Sequence, residues 1–211
     1  MSKYKSSKKW VKEHIADPYV KLAQKLDYRA RSAFKLIEII ETLKINFASN
    51  KVVVDLGSSP GSWSQVIRNK MILPNGNING RIIALDILPM EPIPGVDFIQ
   101  GDFRDIEIQE ILKNALYNQL VDIVISDMAP NLTGIASADS ARIQDVCELA
   151  MSFSVGHLKR SGVMIVKAFH GEGFSQIVYL YKKFFKKVVE FKPKASRDRS
   201  SETFLIAQTL K

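Results

Sequence analysis

Five short runs rich in β-branched residues, separated by stretches of helical pattern, constrain the fold of this chain more than any other feature. We expect strands over residues 51–56, 81–86, 96–100, 121–126 and 162–167. Several of these runs are apolar nearly throughout instead of alternating, which is typical of parallel strands that are buried on both faces. Strands that alternate with helices at this spacing predict a doubly wound α/β sheet.

The rest of the chain adds helices around these strands and two strands after them. Helical periodicity or position between strands predicts helices over 29–44, 61–70, 105–118, 140–159 and 173–185. Residues 187–191 and 203–209 are expected to be two further strands, paired as a hairpin with a long loop. The length of 211 residues suits a single domain over residues 1–211, with residues 1–28 as a basic N-terminal arm.

Composition excludes several classes of protein. No apolar run approaches the roughly 18 residues of a membrane span, and the N-terminus lacks the apolar segment of a secretory signal. We therefore expect a cytoplasmic protein, without a membrane partner, that is a monomer. Cys147 permits no intramolecular disulfide and is expected to be a core thiol. We expect no metal site, because the three histidines lack metal-ligand spacing.

Positive charge is concentrated in two blocks that are distant in sequence. Residues 1–44 carry a balance of +6, residues 45–181 a balance of −4, and residues 182–199 again +6. If the fold brings the two blocks together, they form one basic surface of the kind that binds a polyanion, most often nucleic acid. The expected phosphate contacts are Lys8, Lys9, Lys12, Arg29, Arg31, Lys194, Arg197 and Arg199.

The first expected strand leads into a glycine- and proline-containing loop. Gly57, Pro60 and Gly61 follow the strand with the spacing G-x-x-P-G, and Trp63 comes next. Glycine between a buried strand and a helix lets a ligand approach the backbone. Because the spacing differs from the G-x-G-x-x-G of dinucleotide folds and Pro60 removes an N–H donor, a cofactor without a phosphate is favoured.

Acidic residues stand at the ends of three successive strands. Asp55 ends the first strand, Asp86 ends the second, and Asp102 follows the third. Asp86 is placed to accept hydrogen bonds from ribose hydroxyls, and Asp102 from an adenine amino group. A single Asp is more often a turn former, but three at one crevice predict a nucleoside-shaped pocket.

These segments resemble the FtsJ/RrmJ family of ribosomal RNA 2′-O-methyltransferases. The resemblance runs from about Trp10 to the C-terminus and is carried by residues 54–65, 86–90, 95–105, 126–131, 166–174 and 196–204. It implies a Rossmann-like, mostly parallel seven-stranded sheet with helices on both faces. It also implies S-adenosylmethionine as cofactor. The loop over residues 70–80 is longer than is usual in bacterial members, and Ser58, Ser59 and Ser62 stand where those members have Ala or Gly.

The resemblance further implies a catalytic tetrad of Lys35, Asp127, Lys167 and Glu202, with Asp127 also at the cofactor. A ribose hydroxyl must lose its proton as it attacks the methyl group, and a lysine removes it only when that lysine is neutral. We expect Lys167 to be the base, oriented by Asp127, with Glu202 holding a lysine in place. The residues alone leave open which of the two lysines is neutral.

The resemblance implies an S-adenosylmethionine-dependent enzyme that methylates the 2′-hydroxyl of a uridine in large-subunit ribosomal RNA, within an assembled ribosomal particle. The alternative inside the family is a transfer-RNA 2′-O-ribose methyltransferase; the compact chain and the Gly-Glu-Gly stretch at 171–173 favour the ribosomal branch by analogy. A nicotinamide-dependent oxidoreductase is disfavoured by the missing G-x-G-x-x-G. A catalytically silent RNA-binding factor is disfavoured by the intact tetrad.

Overall fold

The computed structural model of the chain describes residues 11, 15–47, 50–131 and 133–211, and within them seven strands form one sheet. The strands are β1 (Lys51–Leu56), β2 (Gly80–Asp86), β3 (Val96–Gln100), β4 (Val121–Ser126), β5 (Leu158–Phe169), β6 (Phe185–Phe191) and β7 (Glu202–Leu210). Their order across the sheet is β3-β2-β1-β4-β5-β7-β6. The first five are parallel to one another, and β7 lies antiparallel between β5 and β6.

Helices cover both faces of this sheet. Those described are α1 (Pro18–Lys25), α2 (Ala33–Leu43), α3 (Ser62–Met71), α4 (Ile106–Ala115), α5 (Ala136–His157) and α6 (Phe174–Phe184). Helices α2 and α3 pack on one face, and α4, α5 and α6 pack on the other. None of these helices combines the length and the apolar character needed to cross a membrane.

Alternation along the strands divides the hydrophobic core into two layers. In β1, Val52 and Val54 pack with α4, α5 and α6, whereas Val53 packs with α2 and α3. Successive side chains of a strand point to opposite faces, so apolar residues at consecutive positions fill both layers. This is why the buried parallel strands are continuous apolar runs, and the predicted doubly wound, mostly parallel seven-stranded fold is confirmed.

Several element boundaries differ from those predicted. Helix α5 begins at Ala136 rather than 140, and it ends at His157, where the chain passes directly into β5. Leu158 pairs with Val121 of β4, so the strand starts four residues earlier than the apolar run that indicated it.

Helix α1 lies inside the segment expected to form a basic arm, and no helix was predicted there. Asp17 caps it by accepting a 2.9 Å hydrogen bond from the N–H of Tyr19, and Pro18 occupies the first turn. Proline suits the start of a helix because its missing N–H would have no partner there.

Candidate active site

The register of the parallel strands brings Asp127 and Lys167 together. Ser126 of β4 pairs with Val166 of β5, so the residues that follow, Asp127 and Lys167, lie level with each other. Asp127 and Lys167 each come two residues after Ile125 and Ile165, which pack against α2 and α3, and alternate residues of a strand share one face. Their side chains therefore emerge on the same face, at the carboxyl edge of the sheet.

Two lysine–carboxylate pairs occupy this edge. The Lys167 Nζ lies 3.1 Å from Oδ1 of Asp127 and also donates to the Asp127 carbonyl oxygen. The Lys35 Nζ, carried by α2, lies 2.6 Å from Oε1 and 2.8 Å from Oε2 of Glu202. The four residues that the resemblance names thus form two ion pairs, each joining segments far apart in sequence.

Glu202 is held in its charged form. Burial raises its pKa, but the adjacent Lys35, a hydrogen bond from Ser196 and the charge of Lys167 outweigh burial and leave the pKa below its ordinary value. The Ser196 hydroxyl lies 2.9 Å from Oε1 of Glu202. Because Lys167 contributes to the pKa of Glu202, the two ion pairs are electrostatic neighbours within one cluster.

The loop between β1 and α3 is fixed against β2. The N–H groups of Gly57 and Ser58 donate to the carbonyl of Leu85 at 2.8 and 3.1 Å. Gly57 has a φ of +75°, and a Cβ there would lie 2.6 Å from the Met128 side chain. A larger residue would therefore be strained at this turn and would clash with the segment after β4.

Asp86 is buried at the end of β2 and braces the same loop. Its Oδ2 accepts from the N–H of Ser59 and its Oδ1 from the N–H of Leu88, both at 2.8 Å. A carboxylate has about four lone-pair sites, so Asp86 keeps acceptor capacity for hydroxyl groups in the crevice. The structure therefore gives Asp86 a loop-holding role that the sequence did not indicate.

Asp102 follows β3 and is paired with Arg104. The guanidinium of Arg104 donates to both carboxylate oxygens, and its backbone N–H donates to Oδ1 at 3.0 Å. These hydrogen bonds lower the pKa of Asp102. Asp102 is therefore an anionic turn residue at the edge of the crevice.

Trp63 is the second residue of α3, directly after the loop that contains Gly61. Its side chain is 2% exposed, its indole N–H donates to the Ser32 carbonyl at 2.8 Å, and its ring packs against Phe204. Helical geometry explains this burial: the second residue of α3 turns its side chain inward between α2 and the sheet. The expected cofactor contact at Trp63 stays a prediction.

Asp55 is fully buried beneath the loop and supplies a test of cofactor fit. The Ser64 hydroxyl donates to its Oδ2 at 2.6 Å, whereas Oδ1, like the buried Ser58 hydroxyl, has no hydrogen-bond partner within the described ranges. Burial raises the pKa of Asp55 to about 7; the Ser64 hydrogen bond opposes this, and the charges of Asp127 and Asp86 add to it. Unpartnered buried acceptors suit a ligand with cationic N–H groups, such as S-adenosylmethionine.

The two basic blocks meet beside the tetrad, where Asp17 contacts one arginine from each block. Oδ2 of Asp17 lies 2.5 Å from the guanidinium of Arg31 and 3.9 Å from Nε of Arg197. A cavity of about 240 Å³ opens there, lined by Arg31, Lys35, Arg197, Ser200 and Glu202. Positively charged groups from both ends of the described chain thus surround one opening next to the Lys35–Glu202 pair.

Not every expected phosphate contact lies at this surface. Arg29 instead donates to the carbonyls of Pro60, Glu91 and Pro92 at 2.6 to 3.0 Å, so it ties the loop after β1 to the segment after β2. Its guanidinium is used for backbone hydrogen bonds, and the expected phosphate role is corrected. Lys8, Lys9 and Lys12 lie outside the described residues.

Supporting residues of the site were missed by sequence reasoning. Asp17 and Pro18 gave a helix-start signal that would have placed α1. Ser64 and Ser196 gave none, because a serine hydroxyl that meets a carboxylate nine or six residues away leaves no pattern in the sequence. Arg29 gave none because its backbone partners are distant in sequence.

Comparison with known proteins first identifies the class. Human methyltransferase-like protein 13, solved with SAH, shares the fold at a TM-score of 0.56 and 14% identity, over 82% of this chain and 78% of that one. This likeness establishes the fold alone, and the class, a methyltransferase, follows from the family profile. The profile of the FtsJ-like methyltransferase family matches residues 28–210, and the chain belongs to that family.

Relatives of known name are similar over their whole length. Ribosomal RNA large subunit methyltransferase E of Bordetella avium is 64% identical over 211 residues, which are 100% of this chain and 96% of that protein. The protein of the same name from Janthinobacterium sp. is 56% identical over 212 residues. A Plasmodium falciparum chain assigned as a ribosomal RNA methyltransferase has a TM-score of 0.74 and 30% identity, over 87% of this chain and 98% of that one.

Proposed function

We propose that this methyltransferase transfers a methyl group from S-adenosylmethionine to the 2′-hydroxyl of a uridine in large-subunit ribosomal RNA. One observation carries the proposal: two lysine–carboxylate pairs meet at the carboxyl edge of the sheet, on the face covered by α2. The names of the 64% and 56% identical relatives, both ribosomal RNA methyltransferases, support an RNA substrate. A bacterial cytoplasmic location and a monomeric state belong to the same proposal.

Lys167 is the proposed base for the ribose hydroxyl. Methyl transfer from a sulfonium is an in-line displacement, so alignment of the hydroxyl with the methyl group supplies much of the rate. In the resting site Lys167 is the cation of the ion pair with Asp127. Lys167 acts as the base after it has released a proton to solvent: as the ribose oxygen attacks, the hydroxyl proton passes to Nζ of Lys167, which Asp127 orients through its carbonyl and carboxylate oxygens. The ammonium group of Lys35, held in place by Glu202, is proposed to stabilise negative charge that develops on the attacking oxygen.

The cofactor is proposed to bind along the loop after β1. Gly57, Pro60 and Gly61 shape the loop, and Trp63 at the start of α3 completes this side of the cofactor site. Asp86 accepts from the ribose hydroxyls and Asp102 from the adenine amino group, and Asp127 lies at the same edge of the sheet. When bound, S-adenosylmethionine supplies an activated methyl group on a cationic sulfur. The buried Asp55 carboxylate, whose Oδ1 has no hydrogen-bond partner within the described part of the chain, suits the positive charge of that ligand.

The RNA is proposed to approach over the cavity between Arg31 and Arg197. Phosphate contacts position a nucleic acid without reading its sequence, so recognition depends on the shape of the RNA or of the ribosomal particle. The side chain of Arg197 is one-third exposed, and its one ion pair with a described residue is the 3.9 Å contact with Asp17. It therefore keeps donors for a phosphate.

Labelled methyl transfer to purified large subunits, free ribosomal RNA and transfer RNA tests this proposal. We expect label on large-subunit RNA with the wild type and none with Lys167→Ala. Lys159→Ala is the matched control, because Lys159 lies on the same strand but pairs with Asp122 at the opposite end, 2.8 Å away. Label on transfer RNA alone would show that the substrate is transfer RNA and not ribosomal RNA. Full activity of Lys167→Ala would show that Lys167 is not the base.

A further inference from the structure

A second basic surface lies at the outer edge of the sheet. We define the β6-edge lysines as Lys182, Lys183, Lys186, Lys187 and Lys192, which are exposed on the last turn of α6, on β6 and just after it. Strand β6 is the terminal strand of the sheet and pairs only with β7 among the described strands. This surface adjoins the Arg31–Arg197 cavity at Lys192, whose Nζ donates to the carbonyl of Ser200, a residue that lines the cavity.

Within the part of the chain that the structure describes, these lysines have no acidic partners. None of the five forms an ion pair with another described residue; Lys192 donates to the Ser200 carbonyl at 2.8 Å. The acid on β6, Glu190, has its Oε1 2.6 Å from Nε2 of His170. Residues 182–192 therefore present a balance of +4 to solvent, which favours contact with a polyanion.

Local roles account for part of this charge. A lysine on an edge strand prevents pairing with another sheet, and lysines in the last turn of a helix interact favourably with its dipole. Neither role requires lysines on both faces of the edge. Lys187 shares the parity of Phe191, which packs on the tetrad side of the sheet, whereas Lys186 shares the parity of Val188, which packs on the α6 side.

Strand register connects this edge with the tetrad. Phe191 pairs with Phe204, which in turn pairs with Lys167, so the top of β6 is level with Lys167 two strands away. Lys187 pairs with Gln208, four residues further along β7. At about 3.3 Å per residue and 4.8 Å per strand, the Lys187 backbone is roughly 16 Å from that of Lys167. An RNA strand bound at the tetrad reaches this distance within a few nucleotides.

We propose that the β6-edge lysines bind backbone phosphates of the ribosomal RNA that flanks the target nucleotide. The proposal rests on the proposed function, because it takes RNA as the substrate. It extends the binding surface from the Arg31–Arg197 cavity along the edge of the sheet. The contact is with phosphates, so it adds affinity and orientation but no sequence preference.

The test is binding of free large-subunit ribosomal RNA over a series of salt concentrations. Each phosphate neutralised contributes about −0.7 to −0.9 to the slope of log affinity against log salt. We therefore expect Lys186→Ala/Lys187→Ala to weaken binding and to reduce the slope by about 1.5. Lys70→Ala/Lys113→Ala removes the same charge from α3 and α4 and is expected to keep the wild-type slope.

Charge reversal separates the RNA contact from simple edge protection. Lys186→Glu/Lys187→Glu keeps two charges on the edge, so protection against strand pairing remains, but its RNA binding is expected to fall below that of the alanine variant. A wild-type slope in both lysine variants overturns the proposal. If the lysine variants bind free RNA with the wild-type slope but lose binding to assembled subunits, the lysines contact a ribosomal protein and not RNA. That result would also overturn the proposal.

Methyl transfer is measured separately on the same preparations. Wild-type transfer to RNA, combined with unchanged slopes in the lysine variants, would refute this surface and leave the proposed function standing. A wild-type protein that binds RNA through these lysines but transfers no methyl group would refute the proposed function instead.

Discussion

Replacing Asp55 by asparagine is expected to make the stability of the protein less dependent on pH between pH 5 and pH 8. Asp55 is fully buried, and burial raises its pKa from 3.8 to about 7, with the charges of Asp127 and Asp86 adding to the shift. Asparagine has nearly the same shape and retains a group that hydrogen bonds with Ser64, but it carries no charge at any pH.

The direction follows from the two pKa values. The folded state binds the Asp55 proton more tightly than the unfolded chain does, so this contribution to stability is fully present below about pH 3.8. It declines as the pH rises and is lost above about pH 7. One pKa unit corresponds to about 1.4 kcal/mol, so the decline amounts to about 2 kcal/mol from pH 5 to pH 7 and to about 3 kcal/mol from pH 5 to pH 8.

Urea unfolding of wild type and Asp55→Asn at pH 5, 6, 7 and 8 measures this difference. We expect the unfolding free energy of the variant, relative to wild type, to rise by about 3 kcal/mol from pH 5 to pH 8. Asp122→Asn is the control: burial raises the pKa of Asp122, but hydrogen bonds from Lys159, Val52 and Lys51 outweigh it and lower the pKa. Its stability deficit is expected to stay constant over this range. A constant offset for Asp55→Asn as well would refute the reasoning.

Three further predictions concern the site. Asp86→Ala is expected to weaken S-adenosylmethionine binding by at least about 1 kcal/mol in calorimetry, because hydroxyl acceptors and the brace on the Ser59 N–H are lost together; unchanged affinity would remove Asp86 from the pocket. Lys167→Ala is expected to abolish methyl transfer at saturating substrate with nearly unchanged cofactor affinity, since the loss falls on the transition state; wild-type turnover would contradict this. Arg197→Ala is expected to weaken RNA binding and flatten its salt slope by about 0.7 to 0.9 while cofactor affinity stays constant; a wild-type slope would make this arginine a purely structural partner of Asp17.

Much of the sheet could be predicted because its parallel strands are buried on both faces. Runs such as 51–56 and 121–126 are nearly continuous in apolar residues, and each is followed by a turn or an acidic residue. The placement of β7 between β5 and β6 could not be predicted. Antiparallel pairing over a long loop leaves no mark in the residues themselves, so the sequence indicated a hairpin without its position in the sheet.

The candidate site was predictable where a residue type follows a strand, and unpredictable where a contact joins distant segments. Asp86, Asp127 and Lys167 stand at strand ends, which parallel topology brings to one edge. Arg29 was predicted to contact phosphate because its charge alone does not reveal its partners. These partners are the backbone carbonyls of Pro60, Glu91 and Pro92. The inward orientation of Trp63 depended on where α3 begins, which sequence patterns define least well.

The most direct test of the central claim is the chemical position of the transferred methyl group. Large subunits that lack the modification are incubated with the protein and labelled S-adenosylmethionine, and the extracted RNA is digested with alkali. Alkaline cleavage requires a free 2′-hydroxyl, so 2′-O-methylation predicts that the label appears in an alkali-resistant dinucleotide whose 5′ nucleoside is 2′-O-methyluridine. Label recovered only in mononucleotides would show methylation of a base and contradict the proposed reaction.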